Sequence, residues 1–237
     1  MRASWLIVTN REWSNVTIQL PDFSKAWEYE NNFYLSCDMT RLSKVLAHWE
    51  LFRMTSHLAG AIVECGVFKG ASLARFATFR DLTGSPFGKK IIGFDMFGRF
   101  PETQYADDQK LRQHFVDTAG EEGIGVQQLE QVLKHKGVER NVQLVAGDIT
   151  KTVPEYLAAN PALRISLLNL DTDIYEPAKV ILEHLWPRIV PGGVLILDDY
   201  AVFPGETNAA DEYFAGQGVE ILKFPYAMTP CYVVKAH

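Results

Sequence analysis

Two groups of acidic residues follow two strand-like segments, and their types and spacing suit the binding of a cation. The segment 171–176, Asp-Thr-Asp-Ile-Tyr-Glu, follows the apolar run 165–170, and Asp198 and Asp199 follow the apolar run 194–197. If the two runs are parallel neighbours, four or five carboxylates converge at one edge of a sheet. Like charges about 4 Å apart repel by about 4 kcal/mol at an effective dielectric constant of about 20. The pattern therefore favours a divalent metal ion with oxygen ligands, the alternative being solvated helix caps and loop acids.

A glycine-containing segment, 64–72, follows another apolar run and precedes a helical pattern. Gly66 and Gly70 allow a tight turn and the close approach of a ligand to the backbone. Their spacing differs from the dinucleotide-binding fingerprint, and Glu64 suits the ammonium group of an amino acid better than a pyrophosphate. Ser72, near the start of the helix, is expected to meet a carboxylate, because helix N-termini favour anions.

Two further acids end the next two predicted strands. Asp95 closes the run 91–94, at the position where an acid binds ribose hydroxyls, and Asp148 follows the third strand and is expected to meet an adenine edge. Each feature alone is weak evidence, since such a glycine-containing turn is more often structural. Their order along three successive strands, namely amino acid, ribose and base, favours S-adenosylmethionine as the ligand. The predicted cofactor-binding residues are Glu64, Gly66, Ser72, Asp95 and Asp148.

The elements that must position these residues alternate along the chain. Strands that are apolar on both faces and separated by helices indicate a parallel α/β sheet with helices on both faces. The last two strand-like runs are joined by only six residues, so they should pair in antiparallel fashion. A mostly parallel seven-stranded sheet with an antiparallel final strand is typical of Rossmann-like methyltransferases. The predicted strands are 61–65, 90–95, 142–145, 165–170, 194–197, 219–224 and 231–235. The predicted helices are 42–58, 72–82, 126–136, one beginning near Pro154, 177–186 and 206–215.

The chain length predicts one domain over 1–237, with two additions. Residues 1–58 form an N-terminal helical and aromatic extension that includes Trp5, Trp13 and Trp27. Residues 98–125 interrupt the alternation of strands and helices, and we interpret them as a mobile lid over the substrate.

Composition excludes several classes of protein. The net charge of −6 offers no general attraction for nucleic acid or for an anionic membrane. The three cysteines are widely spaced, which suits reduced thiols in a cytoplasmic protein. The sequence contains no apolar run long enough for a membrane span. Among the six histidines, His114 in the lid is the candidate site residue, whereas His48 and the other helical histidines are expected to pack or to lie at the surface.

In combination, these motifs resemble the macrocin O-methyltransferase family, which methylates sugar hydroxyls of antibiotic and related glycosides. The resemblance covers roughly 42–235 and is weakest at the N-terminus and in the 98–125 insert. It implies a class I fold, S-adenosylmethionine as methyl donor, and a magnesium-type ion held by Asp171, Asp198 and Asp199, with Asp171 also acting as base. The matching segments are Val63–Gly70, Phe94–Glu102, Leu170–Glu176 and Pro191–Tyr200, followed by Pro204-Gly205 and Asp211-Glu212.

The expected acceptor is a small-molecule glycoside or a nucleotide sugar, and the protein could be a homo-oligomer. Two alternatives remain open at this point. A catechol-type methyltransferase also uses a magnesium ion and two vicinal oxygens. A non-methylating relative would bind S-adenosylmethionine without turnover.

Overall fold

The computed structural model describes residues 18–236, so Trp5 and Trp13 lie outside the described residues. The centre of the molecule is a seven-stranded sheet with the order β3-β2-β1-β4-β5-β7-β6. Strands β1 to β5 pair in parallel, and β7 pairs antiparallel with both β5 and β6. The predicted fold class is therefore confirmed. The strands are β1 (Ala61–Cys65), β2 (Ile91–Asp95), β3 (Val142–Ala146), β4 (Ile165–Leu170), β5 (Ile189–Leu197), β6 (Leu222–Lys223) and β7 (Cys231–Val234).

Within residues 18–236, eight α-helices connect and cover these strands. They are α1 (Ala26–Ser36), α2 (Met39–Thr55), α3 (Ala71–Thr83), α4 (Ala106–Ala119), α5 (Val126–Lys136), α6 (Ile149–Ala159), α7 (Tyr175–Leu185) and α8 (Pro204–Phe214).

The sheet divides the core into two apolar layers, because successive strand residues point to opposite faces. On β5, Leu195 and Leu197 pack with α6, α7 and α8. On the same strand, Val194 and Ile196 pack in the other layer with α2, α3 and α5. Helices therefore cover both faces, as the doubly apolar strands predicted.

The helix between β3 and β4 begins earlier than predicted. It starts at Ile149 rather than near Pro154, because Asp148 caps it by accepting the backbone N–H of Thr150. Pro154 lies inside the helix and removes one backbone donor. Burial of Ile149 and Val153 offsets that loss.

The predicted helix 42–58 is observed three residues earlier, at Met39–Thr55, and two strands near the C-terminus also differ from the prediction. The predicted strand 219–224 is reduced to Leu222–Lys223, and β5 extends back to Ile189 through the Pro191-Gly-Gly segment. None of the helices between residues 18 and 236 combines the length and apolar character needed to cross a bilayer.

Candidate active site

The register of the sheet places four of the predicted site residues in one row. Cys65 is level with Phe94 and Leu170, and Leu170 is level with Leu197. The backbone ladder continues one residue further, since the N–H of Asp171 donates to Cys65 and the N–H of Asp198 donates to Leu170. The row Asp95, Gly66, Asp171 and Asp198 therefore lies along the carboxyl edge of the four central strands β2, β1, β4 and β5.

The glycine-containing segment is in direct contact with the acidic segment. Gly66 has a φ of +91°, and a Cβ atom built there would lie 1.7 Å from the carbonyl oxygen of Asp171. A side chain at position 66 would thus meet backbone rather than a movable group. The loop after β1 and the loop after β4 pack against each other at this point.

Asp95 holds the loop after β1 in place. Its Oδ2 accepts the backbone N–H groups of Val67 (2.8 Å) and Phe68 (3.0 Å), and its Oδ1 accepts that of Phe97 (2.6 Å). Phe68 and Phe97 have φ values of 46° and 48°, a region that non-glycine residues rarely adopt. Burial raises the pKa of Asp95, while the three N–H donors oppose that rise. The carboxylate therefore stabilises the strained loop that lines the predicted cofactor site.

Glu64 lies behind the loop and is 1% exposed. Its Oε1 accepts the Ser72 hydroxyl at 2.5 Å, and its Oε2 has no hydrogen-bond partner within residues 18–236. Burial raises the pKa of Glu64 to about 8, although the Ser72 hydrogen bond and Arg75 act in the opposite direction. Glu64 and Ser72, which were predicted separately as cofactor-binding residues, are thus hydrogen-bonded to each other.

Asp148 combines a capping role with a place on the cavity wall. Besides the Thr150 N–H, its carboxylate binds the Thr150 hydroxyl at 2.6 Å and Lys151 at 2.9 Å. Burial works against the charge of Asp148, but these partners outweigh it and lower its pKa.

Three carboxylates form a close group at the ends of β4 and β5. Asp171, Asp173 and Asp199 each place one oxygen within 4.8 Å of the others. Burial raises the pKa of all three, and repulsion from neighbouring carboxylates adds to it, chiefly from Asp198 on Asp171 and Asp199 and from Asp199 on Asp173. Such mutual repulsion is relieved when a cation is shared. Asp198, the third member of the ligand set that the resemblance implies, is outside this group of three.

Asp198 faces α2 and is fully buried. One carboxylate oxygen binds the Lys44 ammonium, and the other lies 3.3 Å from Nε2 of His48. Nδ1 of His48 is 2.9 Å from the Arg75 guanidinium, which can only donate, so Nε2 carries the proton that His48 donates to Asp198. Burial opposes the charge of Asp198, but Lys44 and His48 outweigh it and hold its pKa below the usual value.

The donor set fits a divalent ion such as magnesium. All the candidate ligand atoms are carboxylate oxygens, which magnesium and calcium prefer. Glu206 adds charge at the same place: its Oε1 accepts the backbone N–H of Asp199 at 3.0 Å, and its buried Oε2 finds no partner in the described part of the chain. Burial and the charge of Asp199 raise the pKa of Glu206. This local excess of buried carboxylates is what a bound cation would relieve.

The 98–125 insert contains α4, which was not predicted, and two of its segments are tied to the loops that carry the acids. Asp108 of α4 accepts the backbone N–H groups of Tyr175 (2.9 Å) and Gly205 (2.7 Å), at the starts of α7 and α8. Glu176 accepts the Thr103 hydroxyl and the N–H of Gln104. The insert is therefore connected to both acidic loops through buried or half-buried polar bonds.

One cavity of about 850 Å³ joins these parts. Its wall includes Asp148 at one end and the carboxylates Asp171, Asp173 and Asp199, while Glu64 and Asp198 lie behind the wall. Aromatic side chains of the insert, Phe100 and Phe115, close the outer side, with their ring centroids 5.1 Å apart. His114 is exposed on α4 and is absent from the lining, so the structure does not bring it to the other site residues.

The sequence-based prediction missed three side chains of the site, Lys44, His48 and Arg75. His48 was assigned a packing or surface role, yet it is buried against Asp198, about 150 positions further along the chain. One signal was available. Lys44 and His48 are four residues apart and therefore share a helix face, and both are polar at the border of the apolar stripe of α2.

Comparisons with known proteins place these features in context. A family model described as Macrocin-O-methyltransferase (TylF) matches residues 38–222. The 8-demethyl-8-(2,3-dimethoxy-alpha-L-rhamnosyl)-tetracenomycin-C 4'-O-methyltransferase of Streptomyces olivaceus is 29% identical over 147 residues, or 60% of this chain and 54% of that protein. Demethyldecarbamoylnovobiocin O-methyltransferase of Streptomyces niveus is 27% identical over 172 residues, or 68% and 60% of the two chains. The chain thus spans less than two thirds of both relatives.

Solved structures agree with the fold. The crystal structure of CalS11, a calicheamicin methyltransferase, superposes with a TM-score of 0.72 at 28% identity and covers 88% of this chain and 84% of that one. The O-methyltransferase NovP superposes with a TM-score of 0.66 at 22% identity, over 84% and 80% of the two chains.

Proposed function

Because the chain belongs to the macrocin O-methyltransferase family, we propose that it transfers a methyl group from S-adenosylmethionine to a hydroxyl of a sugar. The observation that carries this proposal is the contact between Gly66 and Asp171. It joins the loop suited to the methyl donor with the acids suited to a hydroxyl acceptor, at the centre of one cavity. A nucleophilic displacement needs this proximity, since the acceptor oxygen must lie in line with the transferred methyl.

The donor would lie along the edge of β1, β2 and β3. Asp95 and Asp148 are on the cavity wall and offer carboxylate acceptors for ribose and adenine groups. Glu64, joined to Ser72, places a carboxyl behind the loop for the amino-acid end. The backbone N–H groups of the loop donate hydrogen bonds to Asp95, and these bonds fix the shape of the loop before the ligand binds. This lowers the entropic cost of binding.

Asp171 is the residue placed to accept the proton of the acceptor hydroxyl. It lies on the cavity wall beside the glycine-containing loop. Burial, together with repulsion from Asp198, raises its pKa above the usual value of an aspartate. A divalent ion, when bound, would supply positive charge that orients two vicinal oxygens and makes the hydroxyl more acidic. The residues that we propose would hold it are Asp171, Asp198 and Asp199. Asp173 lies beside them, with one oxygen within 4.8 Å of an oxygen of Asp171 and of Asp199.

The names of relatives support a sugar as the acceptor. The Streptomyces olivaceus protein is described as a 4'-O-methyltransferase of a rhamnosyl-tetracenomycin, and one structure of CalS11 is described as a TDP-rhamnose 3'-O-methyltransferase. We propose a deoxysugar-type acceptor, either nucleotide-linked or carried on a glycoside, enclosed by the insert. The aromatic side chains Phe100 and Phe115 provide flat apolar surfaces of the kind that pack against sugar rings and aglycones.

The test is a methyl-transfer assay on a panel of nucleotide sugars, rhamnosyl glycosides and catechols. We expect transfer to a sugar hydroxyl that is abolished by a chelator and restored by magnesium. Asp171→Asn should lose far more turnover than affinity for S-adenosylmethionine. Asp211→Asn, at an exposed acid whose carboxylate binds Tyr200, is the matched control.

Two results would contradict parts of the proposal. Methylation of catechols alone would replace the acceptor class. Full activity of metal-free protein in excess chelator would remove the ion and leave Asp171 as a plain base.

A further inference from the structure

Lys44 places a positive charge among the clustered carboxylates of the site, where it offsets their mutual repulsion. Its ammonium binds Asp198 and lies on the wall of the same cavity as Asp171 and Asp199. The side chain of Lys44 is 24% exposed and that of Asp198 is fully buried. An ion pair in such surroundings is weakly screened by solvent.

The position of Lys44 is fixed by its helix rather than by a flexible loop. His48, one turn further along α2, binds the second oxygen of Asp198 and is itself held by Arg75 of α3. Helix α2 therefore presents two donors, Lys44 and His48, to the same acid. Each oxygen of Asp198 already binds one donor, and of these two donors Lys44 lines the cavity whereas His48 does not, so a metal ion that reaches Asp198 from the cavity meets the Lys44 ammonium.

The charges of the two donors, Lys44 and His48, decide which of their bonds to Asp198 breaks when a metal ion binds. Asp171, Asp198 and Asp199 carry three potential negative charges around the Lys44 ammonium. His48 is a buried neutral donor, because its Nδ1 accepts a hydrogen bond from Arg75. A divalent ion among these acids repels an ammonium at contact distance but not a neutral imidazole. Lys44 is also the partner with a long flexible stem and access to the cavity.

We propose that the Lys44 ammonium is the intramolecular counter-ion of the carboxylate cluster formed by Asp171, Asp198 and Asp199. A divalent ion must displace this ammonium from Asp198 in order to bind. The group of Asp171, Asp173 and Asp199 is then the arrangement with Lys44 in place, and Asp198 joins the ligands once Lys44 withdraws. This inference rests on the proposed metal-dependent function and adds an intramolecular competitor to it. Lys44 thereby sets the metal affinity and holds the acids together when no ion is bound.

The experiment measures binding rather than activity. Full-length protein is stripped with chelator, and Mg²⁺ and Mn²⁺ are titrated calorimetrically without donor or acceptor, beside thermal melting of the metal-free forms. Lys44→Met keeps the length and apolar stem of the side chain but removes the charge. We expect it to bind the ions about tenfold more tightly or better than the wild type, and to melt at a lower temperature when metal-free.

Two control variants separate charge from packing. Lys44→Arg keeps the positive charge and should behave like the wild type. Lys69→Met removes a lysine that lines the same cavity but binds the carbonyl of Ala119, so its metal affinity should not change. If Lys44→Met does not fold, Lys44→Gln provides the same neutralisation with a polar end.

Equal or weaker ion binding by the neutral variants would overturn the inference and leave the proposed function intact. If neither wild type nor variant binds an ion, displacement is refuted together with metal dependence. Methyl transfer that persists in excess chelator would then show separately that the reaction does not depend on a metal ion.

Discussion

The buried carboxyl of Glu64 should make the stability of the protein depend on pH in a direction opposite to that of an ordinary surface acid. Burial raises its pKa from an ordinary 4.5 to about 8. The folded protein therefore holds this proton more tightly than the unfolded chain does. Stability from this group is fully present below about pH 4.5 and is lost as the pH rises toward about 8.

The magnitude follows from the size of the shift. At roughly 1.4 kcal/mol per pH unit, the free energy of unfolding should fall by about 3 kcal/mol between pH 5 and pH 8 on account of Glu64 alone. Glu64→Gln removes the titration and keeps the acceptor for the Ser72 hydroxyl. The difference in unfolding free energy between variant and wild type should therefore change by about 3 kcal/mol in favour of the variant over this range.

Denaturant unfolding of cofactor-free protein at several pH values measures this difference. Other buried acids titrate in both proteins and cancel, and any fixed cost of placing an amide beside the unpaired oxygen is independent of pH. Glu130→Gln, at an exposed acid of α5, is the matched control. A difference between Glu64→Gln and wild type that stays constant from pH 5 to pH 8 would refute the reasoning.

Three further changes test the arrangement of the loops. Gly66→Ala should destabilise the protein by about 3 kcal/mol or more in thermal or denaturant unfolding, because the added Cβ meets the Asp171 carbonyl. The control is Gly120→Ala, since Gly120 also has a positive φ (86°) but a Cβ there meets no atom within 4 Å in the described residues. Equal losses of stability in the two variants would argue against the contact. Asp95→Ala should weaken S-adenosylmethionine binding by about 1–3 kcal/mol in calorimetry, and unchanged affinity would exclude its role. Asp108→Asn should cost about 1–3 kcal/mol of stability and raise amide exchange at the starts of α7 and α8, because one of its two backbone donors then faces an amide N–H₂. Asp107→Asn, at the exposed neighbour, should do neither, and exchange that is identical in both variants would refute the link.

The parts of the fold that the sequence predicted best are those with a strong local pattern. Strands such as 61–65 and 165–170 are short apolar runs, and the structure has them with the same bounds. Helix α4 was missed because the one fully buried side chain of that helix is Asp108, so it has no apolar stripe of helical period. The early start of α6 was missed because the prediction gave Asp148 a ligand role and overlooked its capping of the helix.

The candidate site, like the fold, has parts that the sequence predicted and parts that it did not. Acids placed by the carboxyl ends of strands were predictable, because strand register brings such positions to one edge. The sequence did not predict which of these acids lie together in one cluster. Asp198 pairs with Lys44 and His48 of α2. The shared helix face indicates that these two residues act together, but nothing in the local sequence identifies an acid about 150 residues away as their partner.

The contact between the backbones at Gly66 and Asp171 has a consequence for how such an enzyme can be modified. Both partners in that contact are main chain, so the spacing between the glycine-containing loop after β1 and the acidic loop after β4 does not depend on an exchangeable side chain at position 171. The surfaces that face the outer cavity, Phe100 and Phe115, belong instead to a separate insert. Acceptor preference should therefore be transferable by grafting the 98–125 segment between relatives, provided that the graft keeps Thr103 and Asp108, whose hydrogen bonds tie the insert to α7 and α8.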